Sequence, residues 1–190
     1  MSDLATFRNG LNYSADDVGD GLKIIGVSDF QRRSTITYDK LQRVRGFDDL
    51  PQDELLQDGD LLFVRSNGNR ELIGRVLHIQ NVSEPIGHSG FTIRARIADP
   101  ALDSRYAAHY FSSALATSQI QRHGGGTNIS NLNQEILGNI AIPLPPLIEQ
   151  KAIAGVLSTW DDAINRTTTL ISSKDQLNRG VVQQLLSGRR

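Results

Sequence analysis

The 190 residues contain no cysteine. That excludes a disulfide scaffold, a zinc–thiolate site, an iron–sulfur cluster and a cysteine nucleophile. Net charge is nearly absent too, since 20 basic and 21 acidic side chains leave −1. A protein that grips polyanions through bulk charge is excluded, although a local basic face is not. No apolar run approaches the roughly 18 residues of a membrane-spanning helix. The opening MSDLATFR has no basic region leading into an apolar stretch, so no secretory signal is read. The expectation is a cytoplasmic protein with no membrane partner. Catalytic signatures are missing as well. His78, His88, His109 and His123 show no paired ligand spacing such as HExxH and read as surface or core histidines. There is no GxSxG elbow, no Walker loop and no Asn/Asp-Pro-Pro-Tyr/Phe motif of adenine methyltransferases.

What is present divides into two unlike parts. An apolar share of 38% is enough for a core. Residues 1–140 carry 14 basic and 17 acidic side chains, and residues 141–190 carry 6 and 4. Five basic groups, Arg32, Arg33, Lys40, Arg43 and Arg45, crowd residues 31–46, and six acids follow in 47–60 with no base. Strand-like runs rich in β-branched and aromatic residues recur at 23–27, 35–38, 61–65, 73–79 and 91–97. In the last, Phe91, Ile93, Ala95 and Ile97 alternate with Thr92, Arg94 and Arg96, which predicts one buried and one basic face. A helix is expected over 103–120, then a glycine-rich loop at 123–128, then a short helix at 132–137. Three prolines at 143, 145 and 146 break the pattern. Beyond them, apolar residues recur at helical spacing from Ile153 to Leu185. A helix of about 40 residues is roughly 60 Å long, too long to bury its stripe on a domain of this size. Gly155 and Gly180 weaken it locally, and Lys174 and Asn178 interrupt the stripe, a common way to fix the register of a helix pair.

Two clusters of hydrogen-bonding side chains favour a nucleic-acid partner. Arg65, Ser66, Asn67, Asn69 and Arg70 form a loop at the end of a strand. Gln119, Gln121, Arg122, His123, Thr127, Asn128 and Ser130 surround three glycines. Arg matches guanine bidentately, Asn matches adenine, and Ser reaches phosphate or base. Glu149-Gln150-Lys151 fits half of a metal-dependent nuclease site, but it sits at the start of the long helix, where the helix dipole accounts for an acid. No metal site is expected.

The segments GTNISNLN (126–133), ILGNI (136–140) and IPLPPLIEQ (142–150) resemble the specificity (S) subunits of type I restriction–modification enzymes. So do GDLLFVRSNG (59–68), Gly74-Arg75-Val76 and the tail QQLLSG (183–188). The resemblance covers most of the chain from about residue 55 onward. It implies an α+β chain: a globular, β-rich target recognition domain at 1–145, then a long helix at 146–190 that forms an antiparallel coiled coil. It implies a non-catalytic reader of double-stranded DNA. Adenine methylation and restriction would be carried out by partner modification and restriction subunits, which would hold S-adenosylmethionine, ATP and Mg. No cofactor is expected in this chain.

The usual S subunit has two recognition domains and two such helices, so this chain looks like a half-subunit. A homodimer through Leu157, Trp160, Ile164, Ile171, Leu177 and Val181 would complete it, and its DNA site would be bipartite and palindromic. The DNA-binding residues expected on one face are Arg32, Arg33, Arg65, Ser66, Asn67, Asn69, Arg70, Gln121, Arg122, Thr127 and Asn128. The alternative is an S-subunit-like coiled-coil scaffold or inhibitor that binds modification subunits without reading DNA; the acids of 47–60 are its support.

Overall fold

The computed structural model describes residues 1–30, 36, 38–47, 49–124 and 131–187. The chain forms two compact units, Met1–Ala154 and Gly155–Arg190. The first holds seven strands: β1 (Ala5–Asn9), β2 (Val18–Ile25), β3 (Gln42–Val44), β4 (Leu61–Val64), β5 (Val76–His78), β6 (Ile86–His88) and β7 (Thr92–Ile97). Its helices are α1 (Ser104–Phe111), α2 (Ala114–His123) and α3 (Gln134–Gly138). A fourth, α4 (Leu147–Leu186), begins in the first unit and continues as the second. No helix among the described residues is long and apolar enough to cross a membrane.

One sheet is antiparallel with strand order β1-β7-β4-β5, and a smaller one runs β3-β2-β6. Strand β4 explains the layering. Its four residues are all buried, and alternate side chains enter different cores because successive residues of a strand point to opposite faces. Leu61 and Phe63 pack with Ile93, Phe111, Ile120 and Leu137 on the helical side. Leu62 and Val64 pack with Ile25, Phe30, Leu77 and Ile86 on the other. Phe63 and Phe111 meet edge to face at 4.8 Å.

The basic face expected on β7 is not exposed. Arg94 is buried and donates to the carbonyls of Asp53 (2.6 Å) and Leu55 (3.2 Å). Arg96 grips the carboxylate of Asp60 through two bonds of 2.8 and 2.7 Å. Residues 53–60 of the acid-rich segment therefore fold over these arginines. Asp53 and Glu54 pair with Arg8, and Asp58 accepts the Val82 amide. Four of the six acids thus hold the domain together. Phe91, expected inside, is 62% exposed, because the Ser89-Gly90 turn places it before the strand begins.

Other boundaries shift for local reasons. The strand expected at 35–38 is absent where it can be judged, since Tyr38–Lys40 form a 3-10 turn. The helix expected at 103–120 is two. Asp103 caps α1 by accepting from the amides of Arg105 and Tyr106, and Ser113 caps α2. Serine favours a cap over a helix interior, so the Ser112-Ser113 pair stops one helix and starts the next. Strands β1, β3 and β6 were not foreseen. They are short, and two of them have only three residues.

The proline segment is strapped down through its carbonyls. Tyr106 donates to Pro143 (3.2 Å) and Tyr110 to Ala141 (2.8 Å). Gln119 both donates to and accepts from Ala141. Gln119 is therefore a structural side chain, not a member of the polar cluster assigned to it. Gln150, fully buried, donates to the carbonyls of Ala101 and Pro145 at 2.8 Å each and accepts the Asp103 amide at 2.9 Å. This ties the first turns of α4 to the domain. The compact unit consequently ends at Ala154, nine residues beyond the boundary expected at 145. In the second unit α4 continues through Gly155 and Gly180 without a break. Its apolar residues are exposed throughout, Trp160 at 67%.

Candidate nucleic-acid interface

The β4–β5 connection, residues 65–75, is built from turn chemistry. The Asn67 side chain accepts the Asn69 amide, and the Asn69 side chain accepts the Glu71 amide, capping a 3-10 turn at Arg70–Leu72. Gly74 closes the loop with φ +83°, a left-handed conformation that favours glycine. The loop is anchored on the β6–β7 turn. The amides of Arg65 and Ser66 both donate to the Phe91 carbonyl, at 2.8 and 3.4 Å. The Arg65 guanidinium reaches the Gly90 carbonyl.

That turn is itself fixed from below. Thr92 donates its hydroxyl to the Ser89 carbonyl (2.7 Å) and lies 2.9 Å from Nδ1 of His88. Burial pushes the His88 pKa down to about 3, with Arg94 and Arg8 adding to the effect. His88 is a neutral core residue, and so offers no charge to a phosphate. Burial also lowers His78, to about 4, with nearby Arg105 adding to the effect; its Nε2 lies 3.0 Å from the Ser104 hydroxyl.

Between this loop and the smaller sheet lies a cleft of about 570 Å³. Its walls are Ser66, Asn67 and Gly68 from the loop, Ser89 and Phe91 from the turn, and Tyr13, Ile24, Gly26, Val27, Ser28, Asp29, Lys40 and Gln42 from the region around β2 and β3. Hydrogen-bonding side chains thus line a cavity whose rim carries an exposed aromatic ring. Such a surface offers donors and acceptors to base edges and an apolar contact to a thymine methyl or an opened base step.

The residues singled out in the sequence divide accordingly. Ser66 and Asn67 line the cleft. Asn69 and Arg70 are exposed on the same loop, outside the cleft. Gln121 and Arg122 lie in the last turn of α2, Arg122 exposed. That turn is brought to the same loop: Ile120 packs against Gly74, and the Leu132 amide donates to the Arg65 carbonyl at 2.7 Å. Arg32, Arg33, Thr127 and Asn128 lie outside the described residues. Asp29, Gln42 and Phe91 were missed. The Ser89-Gly90 turn signal could have freed Phe91 from the alternation; nothing in the sequence marked Asp29. Among the described residues no cluster of three or more His, Asp or Glu side chains is arranged to hold a metal.

The chain is 25% identical to the type I restriction enzyme EcoKI specificity subunit of Escherichia coli K12, over 95% of this chain and 38% of that one. It is 25% identical to the StySPI specificity subunit of Salmonella potsdam, over 95% and 37%. The chain thus spans well under half the length of these relatives. In fold it is similar to the crystal structure of a type I restriction–modification S subunit from M. genitalium. The TM-score is 0.67 at 17% identity, over 100% of this chain and 45% of that one. A second likeness is to the HsdS subunit from Thermoanaerobacter tengcongensis, with TM-score 0.58 at 20% identity, over 87% and 38%. Residues 2–173 match the family described as "Type I restriction modification DNA specificity domain", and the chain belongs to that family.

Proposed function

We propose that this chain is a non-catalytic DNA sequence-recognition subunit of a type I restriction–modification system. It reads duplex DNA with one recognition domain and directs partner modification and restriction subunits to the site. Any S-adenosylmethionine, ATP and Mg belong to those partners. The observation that carries the reading is the cleft beside the 65–75 loop, in a chain of this family. Side chains that match base edges meet there on a fixed scaffold. The scaffold or inhibitor reading has less support, because four of the six acids behind it are engaged within the domain.

The chain works as a homodimer. Leu157, Trp160, Ile164, Ile171, Leu177 and Val181 are exposed on α4, and each large apolar side chain gains roughly 1.5–3 kcal/mol on burial. An antiparallel pairing of two copies covers the stripe and gives two identical recognition domains related by a two-fold axis. Such a dimer reads two identical half-sites in inverted order. The target is then an interrupted palindrome, its halves no more than about 18 base pairs apart for a helix of about 60 Å at about 3.4 Å per step.

Sedimentation at micromolar concentration, and duplex retention with and without the cognate modification subunit, test this. Wild type should be a dimer and Trp160→Glu a monomer. Sequence-specific retention should require the modification subunit, because the chain carries little net charge. Loss of Arg65 or Arg122, if either reads a base, should cost about 1–3 kcal/mol and relax one target position. A strictly monomeric wild type refutes the dimer. A modification complex that retains no duplex refutes DNA reading.

A further inference from the structure

Asp29 is a carboxylate in the wall of a cleft whose other side chains suit DNA, and no ion pair among the described residues accounts for it. It stands on the 3-10 turn Val27–Phe30, half-buried. One oxygen, Oδ2, accepts the Gly26 amide at 2.8 Å. The other has no partner among the described residues. No salt bridge joins Asp29 to Lys40, which lines the same cleft. We propose that Asp29 is a specificity-determining residue that reads a cytosine through its free carboxylate oxygen; this assignment rests on the DNA-recognition reading above.

Chemistry selects the base. A carboxylate repels phosphate, so at a DNA surface it adds nothing to backbone affinity. It only accepts hydrogen bonds. In the major groove cytosine presents its amino group as a lone donor. Adenine sets an acceptor beside its donor, and guanine and thymine present acceptors. A lone carboxylate oxygen is complementary to cytosine and repelled by the keto edges of guanine and thymine.

Asp29 lines a cleft of about 570 Å³, large enough to admit a base edge. The Tyr13 hydroxyl, the Ser28 hydroxyl and Asp29 Oδ2 lie 3.8, 3.8 and 3.9 Å from where a Cβ on Gly26 would sit. Gly26 is not among the glycines with positive φ, so the backbone does not demand glycine there. The missing side chain leaves room for about one more carbon beside these polar atoms, on the side of the oxygen that the Gly26 amide holds. Burial also raises the Asp29 pKa against the opposing pull of the Gly26 N–H.

The test uses the full chain with its modification subunit and a library of randomised duplexes, with retained duplexes sequenced. Wild type should show a cytosine in each half-site. Asp29→Asn keeps an oxygen for the Gly26 amide but turns the free atom into an amino donor. Cytosine preference at one position should fall about ten- to hundredfold in favour of guanine or thymine, with other positions unchanged. A second measurement leaves the protein untouched. Replacing that cytosine with 2-pyrimidinone, which lacks the amino group, should weaken wild-type retention by a similar factor. An unchanged motif with Asp29→Asn, equal loss across all sequences, or indifference to 2-pyrimidinone overturns the assignment while leaving DNA recognition intact. A wild-type complex that binds its modification subunit but retains no duplex overturns the recognition reading itself.

Discussion

Replacing Gln150 by glutamate isolates the joint between the recognition domain and α4. The Gln150 side chain is fully buried, and its amino group faces two carbonyl oxygens, Ala101 O and Pro145 O, at 2.8 Å each. In Gln150→Glu an oxygen takes that place. Two hydrogen bonds of about 1 kcal/mol each are lost, and a buried anion without a cation adds several kcal/mol more. The variant should lose about 5 kcal/mol or more at neutral pH, a large share of the roughly 5–15 kcal/mol of a folded domain. The pH dependence carries the signature. Burial raises the folded pKa of the introduced carboxyl above its unfolded value of about 4.3. The folded state then binds more protons than the unfolded one, so the deficit grows as pH rises above about 4.3 and shrinks as pH falls. Gln150→Ala should lose about 2–4 kcal/mol with no such pH dependence. Urea unfolding followed by far-UV circular dichroism at pH 4.5 to 7.5, variant minus wild type, measures this. Tryptophan fluorescence does not serve, because the single tryptophan, Trp160, lies in the other unit. A neutral-pH deficit below about 1 kcal/mol, or one that grows in acid, refutes the role given to Gln150.

The buried histidines give the wild type its own acid sensitivity. With folded pKa values of about 3 for His88 and about 4 for His78, the unfolded chain binds more protons below about pH 6.5. Stability should fall as pH drops from 6.5 toward 4, and a denaturant midpoint that stays flat over that range would count against this account. Gly10→Ala should destabilise the domain by about 1–3 kcal/mol, because a Cβ there would run into the carbonyl oxygens of His88 and Ser89, which are backbone and cannot rotate away. A thermal midpoint matching wild type would show that the turn can give way.

The two-part chain and the long helix were legible in the sequence because each rests on local chemistry. Prolines at 143, 145 and 146 stop any regular element. A 3.6-residue apolar period over some 40 residues makes a helix whatever surrounds it. The LLFV run of β4 read as a strand because both of its faces are buried. The 65–70 loop was visible through its turn residues.

Tertiary structure decided what lies far apart in sequence. Arg94 and Arg96 read as a basic face because alternation reports which side chains share a side, not what covers that side. Residues 53–60 cover it, and their carbonyls and the Asp60 carboxylate take up terminal N–H groups of both guanidiniums, while the buried Arg94 Nε has no partner among the described residues. Phe91 and Asp29 joined the interface for the same reason. They stand 62 positions apart and meet in one cleft only because β2 and β6 pair in parallel, with Ile25 beside His88. Gln150, the variable middle position of a Glu-x-Lys pattern already set aside in the sequence, gained a role only when folding placed its amide between Ala101, Asp103 and Pro145. Hydrophobic period and turn chemistry act over a few residues and are written locally. Which polar groups end up buried against each other depends on chain crossings that no local pattern encodes.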